Sequence, residues 1–321
     1  MNAVVAPVSD LASFAGARLP FGLTLHAPLG SGGMGVVWRG RYDVAEPVVG
    51  EGSCRRRDVA VKFMTPDAQC SRGDEAALFL REAKALGRVV DSHVVTCLQE
   101  PCGAKRPYMV LECVEGEDLA SVIRGSGPQA VPRVREVLRQ LALALSAAHR
   151  AGVVHHDVTP ENIIVAGLKR KTPKVTLIDF GLARHQDDRP LPRDEVPVGT
   201  PYATSPEQVL SPQENDPRCD VWGFCVVAYC LLAGGPPFGT SDMLNILSAI
   251  NEQAFVPVSR LRCDVPKRID AFFSRAFQRR RADRFQTLAE AALAIAEALD
   301  RGITSHPLRA PSVVVHAEAA E

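Results

Sequence analysis

The sequence predicts an α+β protein in two unequal parts, a small antiparallel sheet carrying one main helix and then a larger helical body. Three observations lead there. From residue 23 to about 112, short apolar and polar runs alternate and are broken by glycines, the pattern of half-buried strands joined by turns. Within that stretch, Asp74–Arg88 holds a helical period. From Cys113 onward apolar residues recur at three-to-four spacing, over 132–151, 219–233, 243–251 and 266–277, with an alanine-rich helix at 288–301.

Each element follows from its residues. Residues 1–22 carry no periodic pattern and are expected to be a flexible lead-in, with Phe14, Leu19 and Phe21 available to pack on the domain surface. Gly30-Ser31-Gly32-Gly33-Met34-Gly35-Val36-Val37 is a glycine-rich loop running into a strand. Between Arg41 and Asp58 lies a connection with glycine, proline and the basic run Arg55-Arg56-Arg57, expected to be a solvated hairpin loop. Val59-Ala60-Val61-Lys62 is a strand with one cation among apolar neighbours, where an unpaired charge would be costly. The apolar run Val175-Thr176-Leu177-Ile178 ends in Asp179-Phe180-Gly181, a buried strand delivering a carboxylate to a turn. Residues 304–321 show no pattern and are expected to be a loose tail. No internal repeat is present, and domain boundaries are expected at 23–112 for the first part and 113–303 for the second.

Composition narrows the function classes. Lysines and arginines number 37 and so do aspartates and glutamates, so the formal net charge is zero and gives no reason to expect nucleic acid or an anionic membrane as partner. No apolar run reaches the length of a membrane span, and Met1 to Pro20 lacks the basic start and apolar block of a secretory signal. The nine cysteines form no Cys-x-x-Cys pair; buried free thiols and a cytoplasmic location are expected. Nothing in the sequence speaks to oligomeric state.

The chemistry is concentrated in two segments, His155-His156-Asp157-Val158-Thr159-Pro160-Glu161-Asn162 and Asp179-Phe180-Gly181. Asn162 and Asp179 can offer hard oxygen donors to magnesium, which prefers them to nitrogen or sulfur. Asp157 is then free to accept a proton from an attacking hydroxyl. That is the equipment of phosphoryl transfer, where catalysis is mostly positioning and charge neutralisation.

Taken in order, the glycine-rich loop, Val59-Ala60-Val61-Lys62, the His155–Asn162 loop and Asp179-Phe180-Gly181 make the chain resemble the eukaryotic-like (Hanks-type) serine/threonine protein kinase family, in the style of its bacterial members, over about residues 23–303. The resemblance implies the two-lobed protein kinase fold, with ATP and Mg2+ as cofactors and Ser/Thr hydroxyls of protein substrates as acceptors. It implies that Leu29, Gly30, Ser31, Gly32, Gly33, Met34 and Gly35 approach the nucleotide, and that Val37 and Ala60 sandwich the adenine with Ile164 below. Leu111 would be the gatekeeper, the Glu112 carbonyl and Val114 backbone would bond the adenine edge, and Asp118 would hold the ribose. Lys62 would position phosphates with Glu82 as its partner, Glu75 being a weaker competitor. Asp157 would be the base, Asn162 and Asp179 the metal ligands. Thr200 would hydrogen-bond Asp157. Glu207 should pair with Arg284, and Asp220 should tie down the catalytic loop.

Three departures from the family pattern bear on one another. His156 stands where an arginine normally reads an activation-loop phosphate, and Thr159 where a lysine normally contacts the transferring phosphate. The loop 182–198 contains no serine, threonine or tyrosine; it holds Asp187, Asp188, Asp194 and Glu195, with Arg184, Arg189 and Arg193 as candidate partners. A loop with no hydroxyl to modify needs no arginine to read a phosphate, so a kinase without activation-loop phosphorylation control is expected. The alternative is a nucleotide-binding pseudokinase scaffold. Against it stand Lys62, Glu82, Asp157, Asn162 and Asp179, all intact. Ser205-Pro206-Glu207 and Asp220 argue against a small-molecule phosphotransferase.

Overall fold

The computed structural model describes residues 15–32, 35–44, 55–64, 74–102, 107–168, 170, 172–188, 199–239, 243–252 and 254–300. The first lobe is one antiparallel sheet of β1 (Arg18–Leu19), β2 (Leu23–Gly32), β3 (Gly35–Val44), β4 (Arg55–Phe63), β5 (Cys97–Cys102) and β6 (Tyr108–Glu112), in the order β1-β2-β3-β4-β6-β5. Helix α1 (Asp74–Arg88) packs against it. Strand alternation sorts the residues between two faces. Val59, Val61 and Phe63 join Leu23, Leu25, Trp38 and Val110 in an outer cluster, while Ala60 and Lys62 between them point the other way, toward α1 and the second lobe. One register therefore sets both the core and the cation. Val37 lies opposite Lys62, which lies opposite Met109, and Ala60 lies opposite Leu111.

Two expectations are corrected here. The flexible lead-in does not extend to residue 22: Arg18 and Leu19 pair with Thr24 and Leu23, Gly16 N–H donates to the Leu25 carbonyl at 2.9 Å, and Leu19 packs on the outer cluster. A two-residue strand is too short to leave a periodic signal. The hairpin between residues 41 and 58 is also longer than expected, since β3 and β4 stay paired out to Val44 opposite Arg55. Backbone pairing of this kind needs no apolar face, so the arginine run concealed a strand. Residues 45–54, Gly33, Met34, Phe14 and the tail 304–321 lie outside the described residues.

The second lobe starts with β7 (Glu117–Asp118) and α2 (Leu119–Ser126), then α3 (Val131–Arg150), β8 (Val153–Val154), β9 (Ile163–Ala166), β10 (Lys174–Leu177) and β11 (Arg184–His185). It continues through α4 (Pro206–Leu210), α5 (Arg218–Ala233), α6 (Met243–Glu252), α7 (Val258–Leu261), α8 (Arg268–Ala276) and α9 (Leu288–Ala298). Helix α5 is buried from Cys219 to Leu232 and is apolar all round, as a helix through the centre of a domain must be. Its Trp222 and Tyr229 pack with Phe238, Phe255, Phe273 and Phe277. Helix α2 was not expected. Its eight residues give barely two turns of pattern, and its start is set by a side chain, Asp118, rather than by periodicity. Two small ladders, β7-β9-β10 and β8-β11, carry the loops that form the site.

Candidate active site

Lys62 projects from the inner face of β4, and two carboxylates meet it from elements far apart in sequence. Glu82 of α1 accepts from Lys62 Nζ at 2.6 Å, and Asp179, after β10, accepts at 2.8 Å. Lys62 and Glu82 are buried, whereas the Asp179 side chain is 42% exposed. Burial alone would depress the lysine, but the two carboxylates more than offset it and hold the ammonium above its ordinary pKa. Burial pushes Glu82 up against the pull of Lys62. For Asp179 the desolvation also acts upward, yet Lys62 wins and the carboxyl lies below its ordinary value. The helix therefore offers Glu82 to the lysine, while the Glu75 side chain lies outside what is described. Asp179 adopts a left-handed φ of 58°, a conformation aspartate tolerates better than most residues, and its Oδ1 also accepts from Gly181 N–H at 3.3 Å.

The loop between β8 and β9 is held from beneath by Asp220 of α5. Asp220 Oδ2 accepts from His155 N–H and Oδ1 from His156 N–H, each at 2.8 Å, and His149 Nε2 lies 2.8 Å from Oδ2. Burial works against the charge, but the His149 bond and the nearby imidazoles bring the carboxyl down to about 2. One turn along, Gly223 lets the loop come closer than any side chain would allow: a Cβ there would lie 2.7 Å from Val158 Cβ. Above this floor, Asp157 Oδ1 accepts from Thr200 N–H and Oδ2 from Asn162 Nδ2, both at 2.9 Å. Thr200 thus meets Asp157 as expected, but through its backbone rather than its hydroxyl. Asn162 Nδ2 also donates to the Asp157 carbonyl at 2.9 Å, which leaves its amide oxygen as the free donor atom for a cation. Among the described residues no group of three or more His, Cys, Asp or Glu gathers to hold a metal. Asn162 and Asp179 would supply oxygen donors and leave the remaining positions to phosphates and water, which fits magnesium.

Most of the residues expected at a nucleotide lie on the sheet or beside it. Gly32 pairs with Gly35 across the hairpin, and Gly30 has open space where a side chain would be. Gly35 answers to a second demand as well: a Cβ would sit 2.4 Å from the Phe63 carbonyl oxygen, so β4 itself excludes a side chain there. Ala60 and Leu111 are buried, Val37, Val114 and Ile164 half-buried, and Leu29 is exposed. Glu112 N–H is used in the sheet, donating to the Thr96 carbonyl at 2.9 Å. Asp118, expected at the ribose, caps α2: Oδ1 accepts from Ser121 N–H and Oδ2 from Ser121 Oγ, both at 2.7 Å.

The three departures have physical forms. His156 is buried, takes a φ of 66°, and places Nε2 2.8 Å from Asn215 Oδ1. Desolvation first, and the Arg184 guanidinium second, bring its pKa down to about 4. Arg184 donates to the carbonyls of Pro212 at 2.9 Å and Gln213 at 3.3 Å, and Asp188 accepts from His185 N–H at 2.8 Å. The expected pairing of Arg184 with loop acids is replaced by bonds to backbone; Arg189, Arg193, Asp194 and Glu195 lie outside the described residues. Thr159 is fully buried and its hydroxyl has no hydrogen-bond partner among the described residues.

His156 gives a pH prediction. An unfolded histidine takes up a proton near pH 6.5, whereas folded His156 stays neutral down to about pH 4. The unfolded state therefore gains a proton first, and stability should fall as pH drops through that window, by about 3 kcal/mol in all. Chemical denaturation from pH 7 to pH 4 should show this loss in the wild type and a flatter profile in His156→Gln. Equal slopes for the two proteins would contradict the assignment.

Sequence reasoning missed His149, Asn215 and Gln208, whose side chains support the loop. Ser205-Pro206-Glu207-Gln208 carries a legible helix-start pattern, Ser-x-x-Gln, and the structure has the corresponding bonds. That pattern says nothing of the further bond from Gln208 Nε2 to the His156 carbonyl at 2.8 Å.

The model of the family described as "Protein kinase domain" matches residues 23–295. Serine/threonine-protein kinase PknE of Mycobacterium bovis is 33% identical over 275 residues, covering 86% of this chain and 46% of that protein. Serine/threonine-protein kinase PknH of Mycobacterium tuberculosis is 32% identical over 272 residues, 84% of this chain and 41% of its own length. A probable serine/threonine-protein kinase of Corynebacterium efficiens is 32% identical over 296 residues, 89% and 42% of the two chains. The chain therefore spans less than half the length of these relatives.

Proposed function

Because the chain belongs to the protein kinase domain family, we propose that it is a serine/threonine protein kinase, transferring the γ-phosphate of ATP to Ser/Thr hydroxyls of protein substrates. The observation that carries the reading is the simultaneous pairing of Lys62 with Glu82 and Asp179, because it brings the phosphate-positioning cation and a metal-binding carboxylate to one point. Asp157 accepts the proton of the attacking hydroxyl as its oxygen bonds the γ-phosphorus and the bond to the bridging oxygen of ADP breaks. Thr200 N–H and Asn162 Nδ2 orient that carboxylate. Lys62, fully charged, orients the phosphates and needs no reorganisation as charge develops. Magnesium, held by Asn162 and Asp179, supplies charge neutralisation at the phosphates when bound. The glycine-rich turn, Val37, Ala60, Leu111, Val114 and Ile164 bind the nucleotide. Asp118 reaches a ribose only while also capping α2. A pseudokinase is not favoured, since the groups a scaffold can lose are present and connected.

We assign the kinase domain to about 23–303, with β1 added to its edge, and place the protein in the cytoplasm, where ATP and magnesium are available and the buried free thiols Cys219, Cys225 and Cys230 persist. Activity is independent of activation-loop phosphorylation. The loop has no hydroxyl, His156 is a neutral histidine, and two hydroxyls beyond it are in use: Thr204 Oγ1 donates to the Thr200 carbonyl at 2.9 Å and Ser205 Oγ to Gln208 Oε1 at 2.9 Å, both residues being buried. Enzyme stripped with a phosphatase, and then freed of it, should transfer phosphate at full initial rate. A long lag that shortens as the enzyme phosphorylates itself would rule this out.

A further inference from the structure

His156 precedes the proposed base, Asp157, and its left-handed φ is one a non-glycine residue keeps only where its surroundings over-determine it. Its polar groups are held on three sides. Its N–H donates to Asp220 Oδ1, its ring bonds Asn215, and its carbonyl accepts from Gln208 Nε2, each at 2.8 Å. That carbonyl belongs to the peptide plane joining His156 to Asp157, so whatever fixes it fixes the backbone from which the Asp157 side chain leaves. The orientation of the Gln208 amide is settled by its partners. Oε1 accepts from Ser205 N–H at 3.0 Å and Ser205 Oγ at 2.9 Å, leaving the amino group to face the carbonyl. One neutral amide therefore joins the start of α4, eight residues beyond Thr200, to the loop that carries Asp157.

We propose that Gln208 is a positioning residue for phosphate transfer, tying the segment after Thr200 to the Asp157 backbone through a bond that needs no phosphate. The proposal rests on the protein kinase reading above. It differs from the Thr200 contact, which orients the Asp157 carboxylate itself, and from Asp220, which holds the amides beneath the loop. It also explains why a buried uncharged histidine is tolerated at 156: the tie runs through the backbone carbonyl and uses no charge at that side chain.

Gln208→Glu tests it, because glutamate keeps the acceptors for Ser205 but sets an oxygen against the His156 carbonyl. The expected result is an unchanged thermal midpoint and ATP KM, with kcat on dephosphorylated casein lower by about 10–100-fold, the scale at which misplacement of a reacting group is felt. Gln208→Met removes the donor without adding a charge and should lose kcat similarly; it decides alone if the glutamate variant does not fold. Ser205→Ala, which weakens the helix start and leaves the carbonyl bond, should lower the thermal midpoint and retain kcat. Wild-type kcat in a folded Gln208→Met protein overturns the proposal, and so does a kcat loss in Ser205→Ala equal to that in the Gln208 variants. A wild-type protein that phosphorylates nothing overturns the kinase reading itself, before any variant is compared.

Discussion

Replacing Asp157 by alanine is expected to slow phosphate transfer by ~10²–10⁴, the range of general-base loss, with ATP affinity little changed. The reason lies in how the carboxylate is held. Thr200 N–H and Asn162 Nδ2 each occupy one oxygen, so the group is aimed as well as charged. Alanine would remove the proton acceptor and leave Thr200 N–H without its partner, while Asn162 Nδ2 keeps only the Asp157 carbonyl. Asp157→Asn separates the two effects, since it keeps an acceptor oxygen but has no carboxylate to take the proton. It should be nearly as slow as alanine while melting closer to wild type. Steady-state rates and thermal midpoints of the two variants check this, and an Asp157→Asn enzyme with wild-type turnover would remove Asp157 from the role.

The largest stability effect is expected at Glu207 and Arg284. Arg284 is buried, bonds both Glu207 oxygens at 2.8 and 2.9 Å, donates from Nε to the Gln278 carbonyl at 2.6 Å, and lies 4.6 Å above the Trp222 ring. The pair fixes the end of the segment that begins at Thr200 to the centre of the helical lobe. Removing either partner strands a desolvated charge, and Glu207→Ala should cost about 3–5 kcal/mol in urea denaturation. Glu207→Gln, which can still accept a bond from the guanidinium, should cost less. Equal stability of Glu207→Ala and wild type would mean that the bridge contributes nothing net.

Much of this was legible because the chemistry sits where apolar strands end. Val175 to Ile178 announces a buried strand, so Asp179 had to emerge at its end. Lys62 among Val59, Ala60, Val61 and Phe63 had to find a carboxylate, and Glu82 supplied it. The Glu207–Arg284 pair and the Asp220 tether follow the same logic, a charge in an apolar setting requiring a partner. Groups that act through backbone or through shape were legible only in part. Thr200 meets Asp157 by its amide, which leaves no mark on residue type. Asp118 reads equally as a ribose ligand and as a helix cap, and the eight-residue α2 that it caps has too short a period to be seen. Gly35 looks like part of a phosphate loop, yet the Phe63 carbonyl would demand glycine there in any case. Gln208 announces a helix start, while its second partner is 52 residues away.

Incubating the protein with γ-labelled ATP, magnesium and dephosphorylated casein, beside Asp179→Ala, separates groups that move phosphate from groups that merely bind a nucleotide. Label is expected on serine and threonine with the wild type and almost none with the variant, with both proteins folded. A wild-type protein whose melting temperature rises with ATP and magnesium, yet which labels neither casein nor itself, would contradict the kinase reading.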